Sequence, residues 1–103
     1  MKAVRLILFS RVGCCLCEEL ERRLRSLSLK EFTPPLELYV IDIDSADTSK
    51  DLHARYELQV PVMFLERGGL NKMFELPRVS PRLNNEGLCQ WLQKILTKTV
   101  GTD

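Results

Sequence analysis

Two rhythms alternate along the chain. Val4, Leu6, Ile7, Leu8 and Phe9 form a near-continuous apolar run, as expected of a strand buried on both faces. Ser10 to Gly13 reads as a short loop. From Cys17 the period changes: Cys17, Leu20, Leu24 and Leu27 recur at three and four residues and predict a helix with one apolar stripe. Outside that stripe Glu18–Arg22, Glu19–Arg23 and Glu21–Arg25 are i,i+4 pairs with the acid leading, which suits a solvated helix face. Thr33-Pro34-Pro35 blocks further helix. Leu36 to Ile43 alternates loosely and predicts a second strand. Thr48 to Tyr56 reads as a short helix, with Leu52 and Tyr56 inward, Asp44 or Asp47 as its cap and His53 at the surface. Gln59 to Leu65 predicts a third strand. Pro61 lies near its start, one of the few places a sheet accepts proline. Arg67-Gly68-Gly69 then turns the chain into Asn71 to Leu76, giving a hairpin. Leu76 to Pro81 is irregular. Asn84 is placed to cap a last helix whose stripe is Leu88, Trp91, Leu92, Ile95 and Leu96, with Cys89 at its edge as a small buried hydrophobe. Residues 98–103 are expected to fray.

The predicted order is β-α-β-α-β-β-α. Two strands joined by a helix should be parallel with a right-handed crossover, and a hairpin completes the sheet. The fold class expected is therefore α/β: a four-stranded mixed sheet with helices on both faces. At 103 residues the chain is one domain, residues 1–103, large enough to hold a core without disulfide staples.

Composition narrows the function. A net charge of +1 offers no bulk field for nucleic acid or an anionic membrane. No apolar run approaches a membrane span, and the N-terminus lacks the h-region of a secretory signal. Three of the four cysteines crowd into Cys14-Cys15-Leu16-Cys17, which cannot serve as an ordinary disulfide framework. A reducing compartment, the cytoplasm, is the expectation. Asp42, Asp44 and Asp47 invite a calcium reading, but the later Gly and Glu ligands are absent at the required spacing.

The chemistry lies in Cys14-x-x-Cys17. The pair falls where a strand hands over to a helix N-terminus, a context that favours dithiol redox chemistry. Free N–H groups and the helix dipole stabilise a thiolate there. Cys14 at the helix mouth is the expected attacking thiol. Cys17, one turn further in on the leucine stripe, is the expected resolving thiol. Arg11 favours the thiolate electrostatically, and Glu18 and Glu19 oppose it. Cys15 projects away from the stripe and is expected to be dispensable.

The cysteine motif, Asp42-Ile43-Asp44, Val60-Pro61-Val62 and the element order together make the chain resemble the thioredoxin superfamily, and within it small glutaredoxin-like proteins. The resemblance covers almost the whole chain and implies a thioredoxin-like fold. It also implies a cis Val60–Pro61 bond facing the dithiol, with the Val60 backbone docking a substrate strand and Pro61 shaping the groove beside Cys14. The sequence departs from typical glutaredoxins in two places. Cys15 and Leu16 replace the usual proline and aromatic between the cysteines. Pro77-Arg78-Val79-Ser80 stands where glutaredoxins carry a Gly-Gly pair that helps seat glutathione. Arg11 and Arg78 are the candidates for a glutathione carboxylate.

The expected activity is reduction of protein disulfides or glutathione mixed disulfides. The partners are then a disulfide-bearing protein or small mixed disulfide, with glutathione or a thioredoxin reductase system as electron donor. No tightly bound cofactor and no metal are expected, and the chain is expected to be monomeric. Two alternatives are a thioredoxin-fold binding module without turnover and a metal or iron–sulfur protein, the cluster being easier to share between two chains.

Overall fold

The computed structural model describes residues 4–67, 72–80 and 82–100. The strands are β1 (Val4–Ser10), β2 (Leu36–Asp42), β3 (Val62–Arg67) and β4 (Lys72–Glu75). The α-helices are α1 (Cys15–Ser26), α2 (Lys50–Tyr56) and α3 (Asn85–Val100), and a single 3-10 turn covers Leu29–Glu31. The sheet order is β2-β1-β3-β4. β1 runs parallel to β2 and antiparallel to β3, and β4 pairs antiparallel with β3.

The near-continuous apolar run of β1 follows from its central place. Its even-numbered residues Val4, Leu6 and Leu8 join Met63 and Leu65 of β3 under Leu20 and Leu24 of α1 and Leu88, Leu92 and Leu96 of α3. Ile7 and Phe9 face the other way and join Val62, Phe64, Ile43 and Tyr56. On that second face the rings of Phe9, Tyr56 and Phe64 pack together with centroids 5.2 to 5.9 Å apart. One strand thus serves two cores, and from Leu6 to Phe9 neither face has room for polar alternation; only Arg5 is exposed, pairing with Glu66.

Several local expectations are corrected. α2 begins at Lys50, and its cap is Ser49, whose Oγ accepts the Leu52 N–H at 3.1 Å. Asp44 is engaged elsewhere, and Asp47 donates its own N–H to Ser45 Oγ. On α1 only Glu21–Arg25 forms as an i,i+4 pair. Arg22 turns to Glu19, while Arg23 crosses to the Leu83 carbonyl and Asn85 Oδ1. An arginine within reach of the oxygens at a helix start finds more partners there than on its own exposed face, where such pairs contribute little. Trp91 and Ile95 are only partly buried. β3 begins at Val62, one residue after Pro61, and α3 continues past Thr97 to Val100. Asn84 does cap α3, accepting the Gly87 N–H at 2.7 Å. The Gly68-Gly69 turn, Asn71, Pro81 and the last three residues lie outside the described residues. Among the described residues no helix is long and apolar enough to cross a membrane.

Candidate functional site at the C-terminal edge of the sheet

Parallel pairing of β1 and β2 brings Ser10 beside Asp42, so the loops that follow both strands emerge at one edge. Ligand sites in open α/β sheets form at such carboxyl ends. The loop after β1 is short because Gly13 turns it: its φ is +86°, a conformation that L side chains rarely adopt. A Cβ at Gly13 would meet nothing within 4 Å, so only the backbone resists substitution. Gly13→Ala is expected to cost about 1–2 kcal/mol, measurable by urea denaturation. An unchanged midpoint would contradict this account of the turn.

Cys14 is the N-cap of α1. Its Sγ accepts the Cys17 N–H at 3.2 Å, so a backbone donor does point at this sulfur. Cys14 and Cys17 are joined as a disulfide, with Cα atoms 5.2 Å apart. The two differ sharply in access: Cys17 is fully buried on the leucine stripe, whereas Cys14 is half-buried at the surface. Cys15 is exposed and free, and Cys89 is free and partly buried against the core. Glu18 reaches back to accept the Gly13 N–H at 3.1 Å, so its carboxylate is tied to the helix entry.

The Val60–Pro61 bond is cis, as is Thr33–Pro34. Pro61 and Leu16 line the same groove, of about 670 Å³, between α1, the start of β3, the 76–79 segment and the start of α3. The cysteine motif and the proline step therefore border one cleft. The Val60 N–H is already donated to the Tyr56 carbonyl at 3.2 Å, and no backbone N–H among the described residues reaches the Val60 carbonyl. Arg78 lines the groove and donates to the Gln59 carbonyl at 2.8 Å.

Arg11 lies on the other side. Its Nε and Nη2 donate to the two carboxylate oxygens of Asp44, both at 2.8 Å, and its Nη1 donates to the Glu57 carbonyl at 2.9 Å. His53 Nε2 stands 2.9 Å from the same Asp44 carboxylate and must carry the proton of that bond. The hydrogen bond from Arg11 is the largest influence and holds the Asp44 carboxyl well below its ordinary value, at about 2; desolvation opposes it, and the hydrogen bond from His53 adds to the lowering. A carboxyl lowered on folding stabilises the fold above its unfolded pKa and loses that contribution as pH falls through the folded one. The Asp44 signal in a carboxyl-detected NMR titration should accordingly titrate with a midpoint of about 2. A midpoint near 4, the ordinary carboxyl range, would show that the pair does not persist in solution.

Sequence reasoning placed Cys14, Cys17, Val60 and Pro61 at one site; in the structure Leu16 of the cysteine motif and Pro61 of the proline step line one groove. It did not find the Arg11–Asp44–His53 cluster. The available signal was topological: parallel β1 and β2 must deliver the residues after Ser10 and after Asp42 to the same edge.

The βαβαββα architecture with a Cys-x-x-Cys helix start is that of the thioredoxin-like α/β fold. Thioredoxin O2 from Arabidopsis thaliana in its oxidized state superposes with a TM-score of 0.59 at 21% identity, over 94% of this chain and 75% of that one. A structure described only as that of a malarial protein superposes with a TM-score of 0.57 at 16% identity, over 90% of this chain and 97% of that one. No curated protein matches at the sequence level. Residues 5–93 match the family described as Glutaredoxin-like domain (DUF836), and the chain belongs to that family.

Proposed function

We propose that the protein is a thiol–disulfide oxidoreductase acting through Cys14 and Cys17. One observation carries the reading: Cys14 caps α1 with a backbone N–H on its sulfur, Leu16 of the same motif lines a groove with the cis Pro61, and the partner Cys17 is fully buried. Of this pair, a substrate sulfur can then meet only Cys14. In the reduced protein the Cys14 thiolate attacks one sulfur of a substrate disulfide, that S–S bond breaks, and the departing thiolate takes up a proton. Cys17 gives up its proton and attacks the Cys14 sulfur of the mixed disulfide. The second substrate thiolate leaves, and the protein holds the Cys14–Cys17 disulfide. Two electrons from glutathione or from a thioredoxin reductase system restore the dithiol. Rate depends jointly on the thiolate fraction and on its nucleophilicity.

Protein disulfides suit this site better than small glutathione mixed disulfides. Val12, Leu16 and Leu58 are 84%, 62% and 91% exposed, and they flank the cysteine motif and the proline step in the chain. In this reading these exposed apolar side chains meet another polypeptide. The Val60 carbonyl, which no backbone N–H among the described residues reaches, then accepts an N–H from that polypeptide. Both candidate glutathione arginines already hold backbone carbonyls. The test is turnover of insulin disulfides, compared with hydroxyethyl disulfide in the presence of glutathione. Insulin reduction with weaker glutathione-linked turnover is the expected result. Failure with both substrates under either electron donor would reject the reading and leave a non-catalytic binding module.

A further inference from the structure

Arg11 stands between the two halves of the site. Its backbone carbonyl accepts the Cys14 N–H at 3.2 Å. Its side chain reaches the other way, to the Glu57 carbonyl at the end of α2. From Glu57 the chain passes through Leu58 and Gln59 directly into Val60-Pro61. One residue therefore links the backbone of the outer cysteine to the segment that borders the substrate groove.

Asp44 fixes the direction of that link. It takes two of the guanidinium donors in a fork, the geometry in which arginine is most restrained. His53 then holds the carboxylate from α2, and the Glu57 N–H bonds the His53 carbonyl at 2.9 Å. Three of the five guanidinium N–H donors are engaged by these contacts, and the cation is matched by a carboxylate. Such a group is poorly placed to bind a substrate carboxylate and well placed to hold a loop. Arg78 grips the same segment from the groove side, through the Gln59 carbonyl.

We infer that Arg11, oriented by Asp44, is a positioning residue that clamps the 57–61 segment to the Cys14 loop and so sets the docking geometry for a protein disulfide. This rests on the dithiol reading of the same site and assigns Arg11 a part in docking a polypeptide rather than in binding glutathione. The contribution comes through backbone geometry. A lysine in its place has no fork with which to hold Asp44 and the Glu57 carbonyl together.

The test uses Arg11→Gln, Arg11→Lys and Asp44→Asn in the full chain. Steady-state insulin reduction gives KM and kcat, and hydrogen exchange with mass spectrometry follows the peptide that covers residues 57–61, with β1 as internal control. For Arg11→Gln, KM is expected to rise about tenfold with a smaller fall in kcat, and the 57–61 peptide to exchange about tenfold faster while β1 keeps its protection. Arg11→Lys should not restore either quantity, and Asp44→Asn should show the same pattern more weakly. Unchanged KM and exchange would overturn the inference. So would a loss confined to kcat, which would make Arg11 an influence on the thiol itself, or full rescue by lysine, which would mean that charge alone suffices. If the unmodified protein reduces no disulfide, the redox reading fails, and the clamp is judged on exchange alone.

Discussion

Replacing Cys14 by serine is expected to abolish disulfide reduction, with a loss of at least about a thousandfold in kcat/KM, because removal of a nucleophile eliminates the covalent route altogether. Cys17→Ser should behave differently. The first attack remains possible, but the resolving thiol is missing, so the protein should accumulate as a mixed disulfide on Cys14, seen as a mass increase that a reductant reverses. The asymmetry comes from burial: Cys17 is fully enclosed on the α1 stripe and cannot greet a substrate, while Cys14 stands at the helix mouth. Equal residual activity of the two variants would contradict the assignment of roles.

The second large effect concerns the platform under the site. Leu24 is fully buried on α1, two turns beyond the cysteines, and belongs to the core shared by β1, β3 and α3. Truncation to alanine removes buried methyl groups and leaves a cavity that a close-packed neighbourhood cannot fully collapse. Leu24→Ala is expected to destabilise the protein by about 2–5 kcal/mol, read as a lower denaturant midpoint. Because α1 also carries the Cys14 cap, the same variant should show faster alkylation of Cys17 through opening of the helix. A loss below about 0.5 kcal/mol, the range of ordinary surface changes, would mean that this face is not the principal core.

The sequence was most informative where burial imposes a period. The β1 run and the Cys17–Leu20–Leu24 stripe reported their elements directly, since each is dictated by the faces it must cover. The candidate site was legible for the same reason: a strand-to-helix junction with Cys-x-x-Cys constrains the chemistry through the helix end. What escaped was decided by competition among polar side chains. Asp44 and Asp47 have the chemistry of caps for α2, but the helix starts at Lys50 and Ser49 caps it, while Asp44 pairs with Arg11. Glu19 and Arg23 are correctly spaced for a pair, yet Arg23 turned to the start of α3, sixty residues away in the chain. Periodicity cannot register such long-range alternatives, because the helix spacing is satisfied whichever partner wins. The Arg11 cluster is of the same kind, since its members come from two separate loops and α2.

The most direct test of the account is the order in which the cysteines react. Fully reduced protein would be treated with limiting iodoacetamide across a pH series and then mapped by peptide mass spectrometry. Cys14 is expected to label ahead of Cys17 and at a midpoint below that of the exposed Cys15, because a helix N-terminus and the Cys17 N–H favour its thiolate. Preferential labelling of Cys17, or a Cys14 midpoint no lower than that of Cys15, would contradict the mechanism.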